Sequence, residues 1–255
     1  VDLLPIALGF IAGATVAVGS VLVSRLVSRV NVSRMVMGCL GALTGGILAY
    51  LALDTGAEAE EIVTGFLLSK DYLSFITGAV LTSIGLVGTW VLLSIMVRED
   101  RAKIPLTIAA GLGAHNVGEG FAIAAALLSG SVSSALAFTI GFAVHNATEG
   151  VAISSSALVY RRIPPLRDLL ALSLLAGLPT TAGALVYYLG ITNRLFLAVL
   201  NVVASASLVF VMVRVNITAA SLLGGFGTRF WVWLFMGVAL TYTLESILTF
   251  LGLTG

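Results

Sequence analysis

Long apolar runs free of charge recur along almost the whole chain, and they constrain it more than any other feature. Eight lie at roughly 5–23, 35–53, 72–97, 104–128, 132–159, 166–190, 195–213 and 230–252. A helix needs about 20 apolar residues to cross the hydrocarbon core of a bilayer, whereas a barrel strand needs about ten that alternate in polarity. These runs have the helical length and lack the alternation. Composition agrees: 59% of the 255 residues are hydrophobic and 10% are charged, which is too apolar for a soluble domain. The expectation is an all-α, polytopic membrane protein with eight transmembrane helices in a single transmembrane domain over residues 1–255.

Charge then orients the helices. Only Asp2 precedes the first run, so it lacks the basic leader of a signal peptide and reads as a retained helix. Taking alternate loops as one side, Arg25, Arg29, Arg34, Arg98, Arg101, Lys103, Arg161, Arg162, Arg167, Arg214 and Arg229 fall together, 11 of the 13 basic residues; only Lys70 and Arg194 fall opposite. The positive-inside rule therefore puts both termini outside. The outer segment between the second and third runs holds Asp54, Glu58, Glu60, Glu61 and Asp71. It reads either as a cation-attracting mouth or as a merely solvated loop. Asp54 and Glu58, at i and i+4, are the candidates for an entrance. Trp231 and Trp233 suit an inner-interface anchor, and the single Cys39 allows no internal disulfide.

Against this apolar background one polar pattern is written twice. "HNVGEG" occupies 115–120 and "HNATEG" 145–150, and the chain's two histidines are both in these copies. On a helix, i and i+4 share a face, so His115 lies over Glu119 and His145 over Glu149. The short polar stretch "SGSVS" joins the two runs into an antiparallel hairpin. A turn centred on Val132 sets His115 level with Glu149 and Glu119 level with His145. His115 is ten residues beyond Pro105, or about 15 Å, near the middle of a core roughly 30 Å thick.

Two carboxylates at that depth require a positive partner, yet no Lys or Arg occurs between Ile104 and Tyr160. The compensating charge is protons, a cation, or a basic residue of another helix. Two imidazoles and two carboxylates suit Zn(II), Fe(II), Mn(II), Co(II) or Cd(II). The absence of thiolate disfavours Cu(I), and the imidazoles disfavour Ca(II) and Mg(II). Asn116 and Asn146, about 100° round from the histidines, offer carbonyl oxygens or supporting hydrogen bonds. Simple packing histidines or haem ligation are the competing readings. Repetition of the whole constellation, with a glutamate four residues after each histidine, favours a metal site.

With these residues the chain resembles the Zrt/Irt-like (ZIP) divalent metal transporters, whose fourth and fifth helices carry patterns close to H-N-x-P-E-G. "GALTGGILAYLALDTGAEA" is similar to the family's second helix and "AGLPTTAGALVYYLG" to its sixth. The resemblance implies helices 1–3 and 6–8 as an inverted repeat around helices 4–5, with metal entering the cytoplasm through a midplane site. It implies His115, Glu119, His145 and Glu149 as primary ligands, with Asn116 and Asn146 beside them. The chain departs from the pattern at Gly118 and Thr148, where many members have proline. Thr180 stands where a metal-bridging glutamate is usual, and inner-end ligands of the seventh helix are replaced around Arg214 and Val215. One principal metal site is therefore expected in place of two. The histidine-rich loop of many members is also missing, since "REDRAKI" joins helices three and four.

Glu245 is a further intramembrane acid. It reads either as a way-station for protons or metal, or as a carboxyl bonded to a neighbouring helix, with Thr180 and Glu245 together as secondary site candidates. The runner-up to a transporter is an integral-membrane metalloenzyme using the same ligands. No H-E-x-x-H, no paired E-x-x-H and no further histidine supports an enzyme. A metal sensor would need an output domain that the runs leave no room for. The expected partners are the lipid bilayer and a divalent metal as cargo, with no catalytic cofactor and no nucleic acid; a homodimer fits as well as a monomer. Compactness suggests a prokaryotic plasma membrane.

Overall fold

The structure, a computed structural model, describes residues 3–28, 33–96, 104–159, 165–190 and 193–252. Among these residues the chain forms eight long helices and no strand. They are α1 (Leu4–Ser28), α2 (Arg34–Leu68), α3 (Tyr72–Met96), α4 (Ile104–Leu128), α5 (Val132–Val159), α6 (Leu166–Ala184), α7 (Arg194–Leu223) and α8 (Thr228–Phe250). Seven are long and apolar enough to cross a membrane. The exception is α4, in which every stretch of that length contains His115, Asn116 and Glu119. This is the helical inventory of a polytopic membrane protein.

Two helices outrun their apolar stretches. α2 continues past Leu53 to Leu68, so Asp54, Glu58, Glu60 and Glu61 stand on helix and not in the expected outer loop. Ala57, Glu58, Ala59, Glu60 and Glu61 are strong helix formers, and Thr55, Ala59 and Val63 keep a buried stripe at every fourth residue. Similarly α7 runs past Val213 to Leu223 on the buried stripe Val211, Val215 and Ala219. Arg214 is thus a helical residue and not part of an inner loop, and its guanidinium lies 4.7 Å over the Phe210 ring. α6 is shorter than its run. It carries Pro179 internally and tightens into a 3₁₀ turn at Leu185–Leu189, ending at Gly190 with a left-handed φ of 61°. Arg29, Arg98, Arg101, Lys103, Arg161 and Arg162, on which the charge bias partly rests, lie outside the described residues.

Between α2 and α3, Asp71 accepts the Ser74 amide at 3.1 Å. Hydrogen bonds from the Ser74 hydroxyl and amide hold its carboxyl below the usual range.

α1 packs on α5 and α6, and α6 on α4; α2 packs on α7 and α8, and α7 on α3. α4 and α5 also meet each other. α3 and α8 are peripheral, exposing apolar side chains such as Ile76, Val80, Ile84, Trp231, Phe235 and Leu240. Two apolar clusters bracket the repeated motif. The larger includes Leu51, Ile108, Leu112, Ile153 and Leu208; the smaller includes Leu8, Ala12, Ile123, Ala126 and Ala135, with Phe138 and Phe142 against them. Along α4 the segment His115–Glu119 lies between Leu112 and Ile123. Along α5 the segment His145–Glu149 lies between Phe142 and Ile153.

The last residue of each motif is where the backbones touch. A Cβ on Gly120 would overlap the Thr180 carbonyl oxygen of α6, and one on Gly150 the Val16 carbonyl oxygen of α1. Small residues allow such contact in a membrane bundle, where packing has no hydrophobic driving force behind it. Replacing Gly120 or Gly150 with Val is expected to destabilise the bundle by about 1–3 kcal/mol or more. Gly88→Ala, with open space around it, is expected to be neutral or stabilising. Thermal melting of the detergent-solubilised variants checks this, and melting temperatures that match across all three would contradict it.

Candidate metal centre

The site is built by the two middle helices facing one another. His115, Asn116 and Glu119 come from α4, and His145, Asn146 and Glu149 from α5; all six are at most 6% exposed, so their polar atoms depend on one another. Asn116 Nδ2 donates to Glu149 Oε2 at 2.8 Å, and Asn146 Nδ2 donates to Glu119 Oε2 at 2.8 Å. Each asparagine therefore secures the carboxylate of the opposite helix. The same amides extend outward: Asn116 Nδ2 also donates to the Ala176 carbonyl of α6 at 3.1 Å, and Asn146 Nδ2 to the Ala12 carbonyl of α1 at 3.2 Å. In this way four helices are tied to two carboxylates.

One oxygen of each carboxylate is satisfied by this crossing, and the other is left over. Glu119 Oε1 and Glu149 Oε1 are buried without a hydrogen-bond partner, as are His115 Nδ1 and His145 Nε2. Buried polar groups of a native fold are nearly always paired, so these four atoms are candidates for holding a bound group. His115, Glu119 and His145 each bring one ligand atom to within 4.8 Å of the others. The ligands of a tetrahedral ion bonded at about 2.0–2.2 Å stand about 3.3–3.6 Å apart, so an ion would draw the widest pairs together by roughly 1 Å. The two imidazole centroids are 5.8 Å apart. Glu149 stands beside this trio, its Oε1 3.7 Å from His145 Nε2.

The other amide atoms of the asparagines, Asn116 Oδ1 and Asn146 Oδ1, are also buried and unpaired. Their amides are committed to the carboxylates, so the residues act first as donors that orient Glu119 and Glu149. Ligation by their oxygens is open in the same geometry.

The remaining candidates separate. Glu245 on α8 bonds His145 directly, its Oε1 on Nδ1. Asp54 and Glu58 are electrostatic neighbours of His145 on the α2 side of the site. Asp54 is half-buried and Glu58 exposed, and they follow Ala52, the last α2 residue of the larger apolar cluster. Thr180 is fully buried with an unpaired hydroxyl oxygen. Its carbonyl is the one that Gly120 packs against.

Sequence reasoning missed Asn201 on α7. It is 1% exposed, donates through Nδ2 to Glu58 Oε2 at 2.9 Å, and lies beside His115. Its approach depends on Gly118, where a Cβ would come within 2.9 Å of Leu197 and 3.4 Å of Asn201 Oδ1. The signal available was a lone asparagine inside the apolar run "FLAVLNVVASA". Thr148, the other departure from the repeated pattern, turns its hydroxyl back to the His145 carbonyl at 2.7 Å.

No protein-family model matches the chain, and no curated protein matches it closely enough to indicate kinship.

The crossed bonds make a paired expectation. Asn116→Leu and Asn146→Leu each strand a buried carboxylate oxygen, and each is expected to cost about 1–3 kcal/mol of stability. Melting of the two variants should give similar losses; a loss confined to one would contradict the reciprocal arrangement.

Proposed function

We propose that this protein is a divalent transition-metal transporter of the ZIP type, carrying Zn(II), Fe(II), Mn(II), Co(II) or Cd(II) into the cytoplasm. The observation that carries the reading is the convergence of His115, Glu119 and His145, flanked by Glu149, as buried groups with unpartnered ligand atoms on helices that contain no Lys or Arg. A divalent cation supplies both the missing charge and the missing partners. In its absence protons take that place, because imidazole and carboxylate bind metal only when deprotonated.

The route is drawn from the surroundings. Asp54 and Glu58, with Asn201 between α2 and α7, form an acidic approach on the side away from the larger apolar cluster. That cluster closes the other side with Ile108, Leu112, Ile153, Leu208 and Val211. Passage then requires the site to open toward the second face, the alternating exposure of a carrier with a midplane site.

The inverted arrangement of helices 1–3 and 6–8 around 4–5 is part of the same proposal. Two features support it. α1 packs on α5 as α6 packs on α4, and α2 on α8 as α7 on α3. The register also matches: Ala12 and Ala176 receive the two asparagine amides, Val16 and Thr180 receive the two motif glycines, and Gly13 and Gly177 meet each other at one constant offset. The charge bias further supports outside termini and a plasma-membrane location.

An integral-membrane metalloenzyme with the same ligands is the alternative. It lacks an additional histidine in the chain to serve as acid or base. Uptake of radiolabelled Zn(II) into proteoliposomes, with Fe(II), Mn(II) and Cd(II) as competitors, decides between them. The wild type is expected to give saturable uptake and the His115→Ala, Glu149→Ala double variant none. Metal that binds the wild type without moving would contradict transport. Uptake is also expected to weaken as the pH falls from 8 to 5, since protons compete for the ligands; a flat profile would argue against a metal-for-proton exchange at this site.

A further inference from the structure

The two histidines of the centre are not equivalent. Glu245, the only acidic residue of α8, reaches His145 and bonds its Nδ1 through Oε1. The pair is enclosed, with side-chain exposures of 7% for His145 and 13% for Glu245. Thr241, one turn earlier, donates to its own helix at the Gly237 carbonyl, so its hydroxyl is committed elsewhere. Tyr242 packs edge-on against Tyr50 of α2 with centroids 6.2 Å apart. His115 carries no such carboxylate among the described residues: its Nδ1 is buried and unbonded, and the polar side chain beside it is Asn201.

We infer that Glu245 is the positioning residue of His145, an α8 carboxylate that holds the imidazole with Nδ1–H toward itself and presents Nε2 as the ligand atom. The inference rests on the metal-site reading above and adds to it a difference between the ligands. A neutral imidazole has one donor and one acceptor nitrogen, and a carboxylate on Nδ1 makes that nitrogen the donor. The free electron pair then lies on Nε2, which is buried, unpartnered and 3.7 Å from Glu149 Oε1. Such a carboxylate behind a ligating histidine fixes its tautomer and orientation. His145 is a preset ligand.

The test uses the protein labelled with ¹⁵N in its two histidines, without metal, at a pH raised until the imidazole signals are those of the neutral ring. Nitrogen shifts are expected to give Nδ1–H for His145 in the wild type and in Glu245→Gln, whose amide oxygen still accepts. In Glu245→Leu the Nε2–H form is expected to appear; Glu245→Met replaces that variant where it does not fold. Cd(II) affinity is expected to fall about 10- to 100-fold in the apolar variant, with Glu245→Gln recovering most of the loss. A His145 that stays Nδ1–H in a folded apolar variant, or apolar-variant Cd(II) affinity equal to wild type, overturns the inference. A wild type that binds no Cd(II) at all removes the metal-site reading instead, while the metal-free spectra still decide whether Glu245 sets the tautomer.

Discussion

The bundle is organised around two carboxylates that have no positive charge beside them on their own helices. A buried carboxylate in a low-dielectric interior is tolerated only when hydrogen bonds or a counter-ion meet its oxygens. Here half of that requirement is met by protein and half is left open. Asn146 and Asn116 each satisfy one oxygen of the opposite glutamate, and the same amides bind the Ala12 and Ala176 carbonyls of α1 and α6. The two middle helices thereby acquire their register, and the flanking helices theirs. One oxygen per glutamate and one nitrogen per histidine are left over, and His115, Glu119 and His145 each bring one ligand atom to within 4.8 Å of the others.

This explains why the pattern is His-Asn-x-x-Glu-Gly and not only His and Glu. Histidine and glutamate at i and i+4 share a face. Asparagine, next to histidine, turns toward the partner helix and supplies the crossed donor. Glycine, next to glutamate, removes the side chain that would hold α6 or α1 away. Thus each of the four named residue types has a physical task, and glycine's is packing. The departures from the pattern also have local reasons: Gly118 lets Leu197 and Asn201 of α7 come close, and Thr148 spends its hydroxyl on its own helix.

Much of this was legible in the sequence because membrane helices declare themselves by length and apolarity. The all-helical character follows from the runs, and the repeated motif announces itself against them. Charges misled at the ends. Asp54–Glu61 and Arg214 read as loop because charge usually marks the membrane edge, but α2 and α7 continue as helix on buried stripes that those charged residues do not interrupt. Contacts between distant helices were beyond reach. Nothing local says that Glu245 meets His145, or that Asn201 stands between Glu58 and His115, because both depend on how α8 and α7 are rotated in the bundle. Crossed asparagine bonding is likewise a property of two helices together.

The central claim is that the orphaned atoms of this centre are ligands for a single ion. Equilibrium titration of the purified protein with Zn(II), followed by X-ray absorption at the zinc edge, measures it directly. The account predicts one tightly bound Zn(II) per chain, with two imidazoles and oxygen donors at about 2.0–2.2 Å. Two adjacent tightly bound ions, or a bound zinc without histidine scattering, would contradict it.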